Sequence, residues 1–215
     1  MDKTEKTELR IVAGSLRGRK ITVFVHEEMR PTPQMVREAL FSILGNAVPG
    51  RIFYDVFAGT GIVGIEAVSR GASSARLIER DSKQAAVIQK EIDRFEIGDK
   101  AQVLRADAYR WAERWVPTEG VPVNLFLSPP FPDLDAAKAK DFLDFTMTLF
   151  AKAPDESVLI LQAEDGFPLE DLPEPELWDT RKYGRNLLLF RVKGDVLEEQ
   201  AEEHSPQSHR EHRED

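Results

Sequence analysis

Arg51-Ile52-Phe53-Tyr54-Asp55-Val56-Phe57-Ala58-Gly59-Thr60-Gly61 is the stretch that decides the fold. A short apolar run ends in a glycine-rich turn, and a helix-like segment, Ile62 to Arg70, follows at once. Strand, tight turn and helix in that order open a nucleotide-type α/β fold. Glycine at 59 and 61 permits positive φ and lets the backbone come close to a ligand. Asp55, ahead of the turn, can accept hydrogen bonds from an amine or a hydroxyl. Gly59-Thr60-Gly61-Ile62-Val63-Gly64 also matches the string Gly-x-Gly-x-x-Gly, so the turn alone does not separate a dinucleotide from a single nucleoside. Glycines between a strand and a helix also serve plain packing.

Downstream, strand-like and helix-like segments alternate. Ile52 to Phe57 reads as the first strand, Ile62 to Arg70 as helix, Ala75 to Glu79 as strand and Ser82 to Phe95 as helix. Gln102 to Arg105, Val121 to Leu127 and Ser157 to Gln162 read as further strands, with helices at Ala108 to Trp115 and Ala136 to Phe150 between them. Repeated units of this length imply a mostly parallel sheet covered on both faces. Glu176 to Arg181 and Asn186 to Val192, joined by Lys182-Tyr183-Gly184-Arg185, predict an antiparallel C-terminal edge, for seven strands in all. Upstream, Leu9 to Ala13 and Lys20 to Val25 predict a β-hairpin around Gly14 and Gly18. A helix follows with Thr32 as N-cap and Pro33 at its first position. The expected organisation is a flexible start over 1–7, a hairpin-and-helix extension over 8–50, the α/β domain over 51–193 and a disordered acidic tail over 194–215.

Composition narrows the function. Hydrophobic residues make up 41% of 215, enough for a sizeable core. There are no cysteines, which rules out disulfides and thiolate metal sites and fits a cytoplasmic protein. No apolar run approaches the ~20 residues of a membrane helix. The charged start, Met1 to Glu8, reads as no signal peptide. Net charge is −9, which argues against a generic nucleic-acid binder. Asp195 to Asp215 holds eight acidic residues against two arginines, so −6 of that charge sits in the tail and only −3 elsewhere. His204, His209 and His212 in the tail read as solvated polar residues, and no metal site is expected.

In an open α/β sheet, ligands sit outside the carboxyl ends of the strands. Here those ends carry Asp55 and the glycine turn, Glu79 with Arg80-Asp81, Asp107, and Ser128-Pro129-Pro130-Phe131. Glu79 falls about 20 residues after the turn, where an acid binds ribose hydroxyls; the alternative is a surface glutamate. Asp107 stands where it can accept from an adenine amine, and it equally suits the N-cap of the helix from Ala108. The strand-four motif separates the cofactor classes. Two prolines after a buried strand fix φ and remove two donors, leaving a stiff corner with free carbonyls. An acceptor before them and an aromatic after them make a platform for a planar base and its exocyclic NH₂. That geometry suits methyl transfer to an amino nitrogen and has no part in hydride transfer.

On these motifs the chain resembles the class I S-adenosylmethionine-dependent methyltransferases, and more narrowly the RsmD family. The narrower resemblance rests on Arg10-Ile11-Val12-Ala13-Gly14 to Arg17-Gly18-Arg19-Lys20, Arg30-Pro31-Thr32 to Val36-Arg37-Glu38-Ala39-Leu40-Phe41, Asp55 to Gly61, Glu79, Ser128 to Phe131 and Arg181-Lys182-Tyr183-Gly184. It covers roughly residues 8–193. It implies a Rossmann-like fold with a seven-stranded sheet and S-adenosyl-L-methionine as cofactor. It further implies the N2 amine of a guanine in 16S ribosomal RNA as target. The negative charge of the chain points to a protein-bearing ribosomal particle rather than bare RNA, and a monomer is expected. Residue by residue, it implies that Tyr54, Asp55, Phe57, Ala58, Gly59, Thr60 and Gly61 hold the methionine part, Glu79 and Arg80 the ribose, and Asp107 and Ala108 the adenine. Ser128, Pro129, Pro130 and Phe131 would form the catalytic corner. RNA grip would come from Arg10, Arg17, Arg19, Lys20, Arg30, Thr32 and Arg37, unless the hairpin is simply a solvated face.

One departure stands out: the family usually has Asp where this chain has Ser128. A carboxylate accepts about twice as strongly as a hydroxyl, and related enzymes acting on DNA cytosine use Ser-Pro-Pro-Tyr. The competing readings are therefore an N4-cytosine or N6-adenine methyltransferase, a non-catalytic RNA-binding relative, and an NAD-dependent oxidoreductase.

Overall fold

The computed structural model describes residues 5–25, 29–130 and 138–194. An N-terminal hairpin pairs β1 (Glu5–Arg10) with β2 (Lys20–Val25), from Glu5 opposite Val25 to Arg10 opposite Lys20. The first strand thus runs earlier than the predicted Leu9 to Ala13, and Glu5 to Thr7 are paired where a flexible start was expected. The physical reason lies at Gly14. The chain leaves the hairpin there at φ +84°, and a Cβ would stand 1.7 Å from the Ser69 carbonyl oxygen. Ser15 N donates to that carbonyl at 2.7 Å, Leu16 N to Ser69 Oγ at 2.9 Å, and Ser69 Oγ to the Ala13 carbonyl at 2.5 Å. Residues 13–16 therefore dock on the end of a helix rather than extend a strand.

The main sheet contains β3 (Ile52–Asp55), β4 (Ser74–Glu79), β5 (Ala101–Arg105), β6 (Val123–Leu127), β7 (Val158–Glu164), β8 (Asp179–Tyr183) and β9 (Asn186–Val192). Its order is β5-β4-β3-β6-β7-β9-β8. β9 runs antiparallel to both neighbours, so the expected antiparallel edge is a single reversed strand, one place in from the rim. β6 is buried at every position, as a central parallel strand must be.

Among the described residues, five α-helices accompany the sheets: α1 (Gln34–Leu44), α2 (Ile62–Ser69), α3 (Ser82–Arg94), α4 (Ala108–Arg114) and α5 (Ala139–Ala151). The predicted beginning of α5 at Ala136 lies outside the described residues. α2 is buried along its whole length, and its start needs two glycines for different reasons. Gly61 is left-handed at φ +73°, and a Cβ on Gly64 would press to 2.7 Å from Leu77 Cγ in β4. The third glycine of the motif is thus a helix–sheet contact. α1 departs from the prediction: Pro33 is its N-cap, with no side-chain cap. Thr32 is buried and donates its hydroxyl to Gln162 Oε1 at 2.8 Å instead.

A buried ion pair joins the N-terminal extension to the sheet domain. Arg37 on α1 is only 2% exposed, and its Nε donates to Glu66 Oε2 on α2 at 2.9 Å. Its Nη1 reaches the Thr32 carbonyl at 2.6 Å and its Nη2 the Arg10 carbonyl at 2.7 Å. Arg70 Nη2 holds the other Glu66 oxygen at 2.8 Å. Each of the three Arg37 nitrogens is thus engaged inside the protein. Arg37, expected to grip RNA, is instead the bolt between two layers.

Candidate active site

The carboxyl ends of β3, β4, β5 and β6 open into one cavity of about 450 Å³. Its walls include Asp55, Phe57, Ala58, Gly59 and Thr60 from the turn, Glu79 and Arg80 after β4, and Asp107 and Ala108 at the start of α4. Ser128, Pro129 and Pro130 close the β6 side. The turn and the diproline corner, predicted from separate stretches of sequence, therefore share one chamber. Among the described residues, no helix is long and apolar enough to cross a membrane.

The turn is braced by carboxylates. Glu79 Oε2 accepts from Gly59 N at 2.8 Å, and Glu79 Oε1 accepts from Asp81 N at 2.8 Å. Burial pushes the Glu79 carboxyl up, and the two N–H donors pull the other way. Asp55 is 1% exposed, and its Oδ2 accepts from Gly64 N at 3.0 Å, tying the strand end to α2. Burial pushes this carboxyl up to about 7, with the Gly64 N–H opposing and the Glu79 charge adding. Asp107 caps α4, its Oδ1 accepting from Arg110 N at 3.1 Å, while also lining the cavity; both sequence readings hold together.

Gly59 shows that the chamber suits a ligand against the turn. Its φ is +51°, and an added Cβ would meet nothing nearer than the Phe57 carbonyl oxygen at 4.0 Å. The missing side chain leaves open volume on the cavity side, where a small group can lie on bare backbone. Acidic side chains follow on the next two strands, which matches the hydroxyl and amine donors of a nucleoside.

Two predicted cofactor residues fall elsewhere. Tyr54 does not line the cavity; its ring packs on Trp111 at 5.6 Å and edge-on to Trp115 at 5.2 Å. Alternation along β3 explains this, since Tyr54 and Asp55 must face opposite sides of the sheet. Gly61 also stays off the wall, because its role is the packed start of α2, where a Cβ would crowd Ile88 and Leu77. Phe131 lies outside the described residues.

Several wall residues went unnoticed in the sequence. Tyr109 stands beside Phe57, with ring centroids 6.1 Å apart, and both line the cavity. Gln162, Glu164, Arg185 and Asn186 form the side beyond Ser128. Tyr109 was discoverable as the second residue of the helix after Asp107. The others follow only from β7 lying between β6 and β9.

The expected RNA-binding residues divide into two groups. Arg10, Arg17, Arg19 and Lys20 are exposed on the hairpin, where Lys20 pairs with Glu8 at 2.7 Å. The Arg19 guanidinium lies over the Phe95 ring at 4.3 Å. Arg30 lines the cavity and pairs with Glu164 at 2.7 Å. Thr32 and Arg37 are buried and serve the scaffold, as described above.

A family model described as "Conserved hypothetical protein 95" matches residues 9–192. The chain belongs to this family. It is the RsmD family of class I methyltransferases that the motifs resemble. The Ribosomal RNA small subunit methyltransferase D of Escherichia coli K12 is 36% identical over 125 residues, covering 58% of this chain and 61% of that protein. Alignments to such curated relatives span between 61% and 67% of their lengths. The solved structure of the Escherichia coli protein yhhF superposes with a TM-score of 0.68 at 26% identity, over 88% of this chain and 100% of that one. The Thermus thermophilus 16S rRNA N2 G1207 methyltransferase, solved with AdoMet and guanosine, superposes at 0.66 and 23% identity, over 88% of this chain and 50% of that one. At that identity the likeness establishes the fold. The chain thus has the Rossmann-like fold of the class I methyltransferases.

Proposed function

We propose that this protein transfers a methyl group from S-adenosyl-L-methionine to the exocyclic N2 amine of a guanine in small-subunit ribosomal RNA. One observation carries the reading: the glycine turn with its two acids and the Ser128-Pro129-Pro130 corner line the same cavity. Family membership and the names of the curated relatives support the ribosomal RNA substrate.

When bound, the cofactor supplies an electrophilic methyl carbon together with its own leaving group. The protein's share is then positioning and charge. Gly59 offers bare backbone to the methionine part, between Ala58 and Thr60. Glu79 accepts from the ribose hydroxyls while its N–H contacts keep it fixed. Asp107 accepts from the adenine amine, and Ala108 and Phe57 give apolar contact. Ser128 Oγ and the Pro129 carbonyl accept the two N–H bonds of the target amine and hold it for attack. Pro130 stiffens that corner, and Phe131 supplies the ring on which the base stacks after leaving its helix. Arg10, Arg17, Arg19 and Lys20 meet phosphates, which gives affinity without sequence information. A negatively charged chain suits a protein-bearing ribosomal particle better than naked RNA.

Ser128 favours a second reading, because a neutral acceptor also suits the N4 amine of cytosine or the N6 amine of adenine. Radiolabelled transfer to small-subunit particles, followed by nucleoside mass spectrometry, decides between them. The proposal expects N2-methylguanosine. N4-methylcytidine or N6-methyladenosine would replace it with the second reading, and no incorporation with intact cofactor binding would leave an RNA-binding relative.

A further inference from the structure

The strands β6, β7 and β9 lie side by side, and each brings a polar group to the cavity. Ser128 follows β6, Glu164 ends β7 and Asn186 begins β9. Glu164 and Asn186 are directly paired in the β7–β9 register. Gln162 sits one step beyond the Leu127–Leu161 pair, level with Ser128. Only Ser128 has a role in the reaction so far.

Both other groups are held in place. Arg30 Nη1 donates to Glu164 Oε1 at 2.7 Å. On the Asn186 side a chain of donors fixes the amides. Arg37 grips the Thr32 carbonyl, the Thr32 hydroxyl donates to Gln162 Oε1 at 2.8 Å, and Gln162 Nε2 donates to Asn186 Oδ1 at 3.0 Å. The Asn186 oxygen is thereby used, and its Nδ2 is the group it can offer a ligand. Read along the sheet, the cavity presents acceptor, acceptor and donor.

The pairing edge of guanine presents the complement: the N2 amine, the N1–H donor and the O6 acceptor. Adenine and cytosine place an unprotonated ring nitrogen where guanine carries N1–H. A carboxylate facing that nitrogen would set two acceptors together with no proton between them, a repulsive mismatch. We infer that Glu164 and Asn186 read the target base as guanine, Glu164 accepting from N1–H and Asn186 Nδ2 donating to O6. Arg30, Thr32 and Gln162 act as positioning residues. The inference rests on the guanine-N2 reading above. It also supplies selectivity in a chain whose diproline corner carries the neutral Ser128, because the discriminating acid stands on the neighbouring strand.

The test replaces the methylated guanine, once mapped by mass spectrometry, with 2-aminopurine in the same RNA. That base keeps the amine, lacks O6 and has an unprotonated N1. The wild type is expected to prefer guanine by about 100-fold or more in kcat/KM, the scale set by unpaired polar groups. Glu164→Gln supplies an amide that can donate to N1 and is expected to shrink the preference at least about 10-fold. Asn186→Ala is expected to lose guanine activity and spare activity on 2-aminopurine, which has no O6 to contact. An unchanged preference in both variants, or equal loss on both bases, overturns the inference while the function stands. A wild type that makes no N2-methylguanosine overturns the function and the inference together.

Discussion

Asp55 is the residue with the most to say about pH. Its carboxyl is pushed from 3.8 up to about 7 by burial, so the folded state favours its protonated form. The stability it contributes is complete below the ordinary carboxylate range and is lost as pH climbs to about 7. The slope is up to ~1.4 kcal/mol per pH unit across that window. Asp55→Asn keeps an acceptor for Gly64 N and removes the charge, so its melting temperature should exceed the wild type's at pH 8 and lose most of that advantage by pH 5. Equal melting curves at both values would show that the charge is solvated. Gly64 makes a second residue-scale claim: Gly64→Ala should cost about 1–3 kcal/mol by overpacking against Leu77, read by chemical denaturation. Sequence patterning at this scale identified Asp55, Gly59, Glu79, Asp107 and Ser128 as cavity residues, because each lies at or just past the carboxyl end of a strand. It misplaced Tyr54, since strand alternation turns its ring toward Trp111, and it misplaced Arg37, since a basic residue near a basic hairpin looks like a phosphate ligand until its buried partner Glu66 is seen.

At the scale of elements, the Arg37–Glu66 pair decides how the N-terminal extension sits on the sheet domain. Removing one member of a buried pair leaves an unpaired charge and costs about 3–5 kcal/mol. Arg37→Met should therefore destabilise by that amount, whereas Arg37→Met with Glu66→Leu and Arg70→Met should recover much of it. A single variant as stable as the wild type would deny the bolt. Because Arg37 also grips Thr32, the same single variant should loosen the Arg30 to Pro33 wall of the cavity. The order and type of elements were legible from periodicity and glycine placement, including an antiparallel C-terminal hairpin, though not that β9 alone is reversed and lies inside β8. The ends of β1 and the cap of α1 were not, since Ser69 and Gln162 draw the Gly14 loop and Thr32 into tertiary contacts that local patterning does not contain.

Across the whole molecule, the cavity joins what the chain keeps apart. The turn, the diproline corner and the start of β9 meet only because β6 lies between β3 and β7 and β9 follows beyond. Sequence motifs disclosed the first two parts; the third needed the sheet order. The exposed hairpin basics are the proposed phosphate contacts. Arg17→Glu with Arg19→Glu should weaken RNA binding at low salt by about tenfold or more and flatten its salt dependence, as expected when phosphate contacts are lost. Undiminished affinity would assign the hairpin a purely structural role. The central claim is that donor and acceptor sites share one chamber, and a crystal structure with S-adenosylhomocysteine tests it most directly. The account predicts its ribose on Glu79, its adenine beside Asp107 and its sulfur facing Ser128 and Pro129. A ligand bound elsewhere, or one with its sulfur turned from that corner, would contradict it.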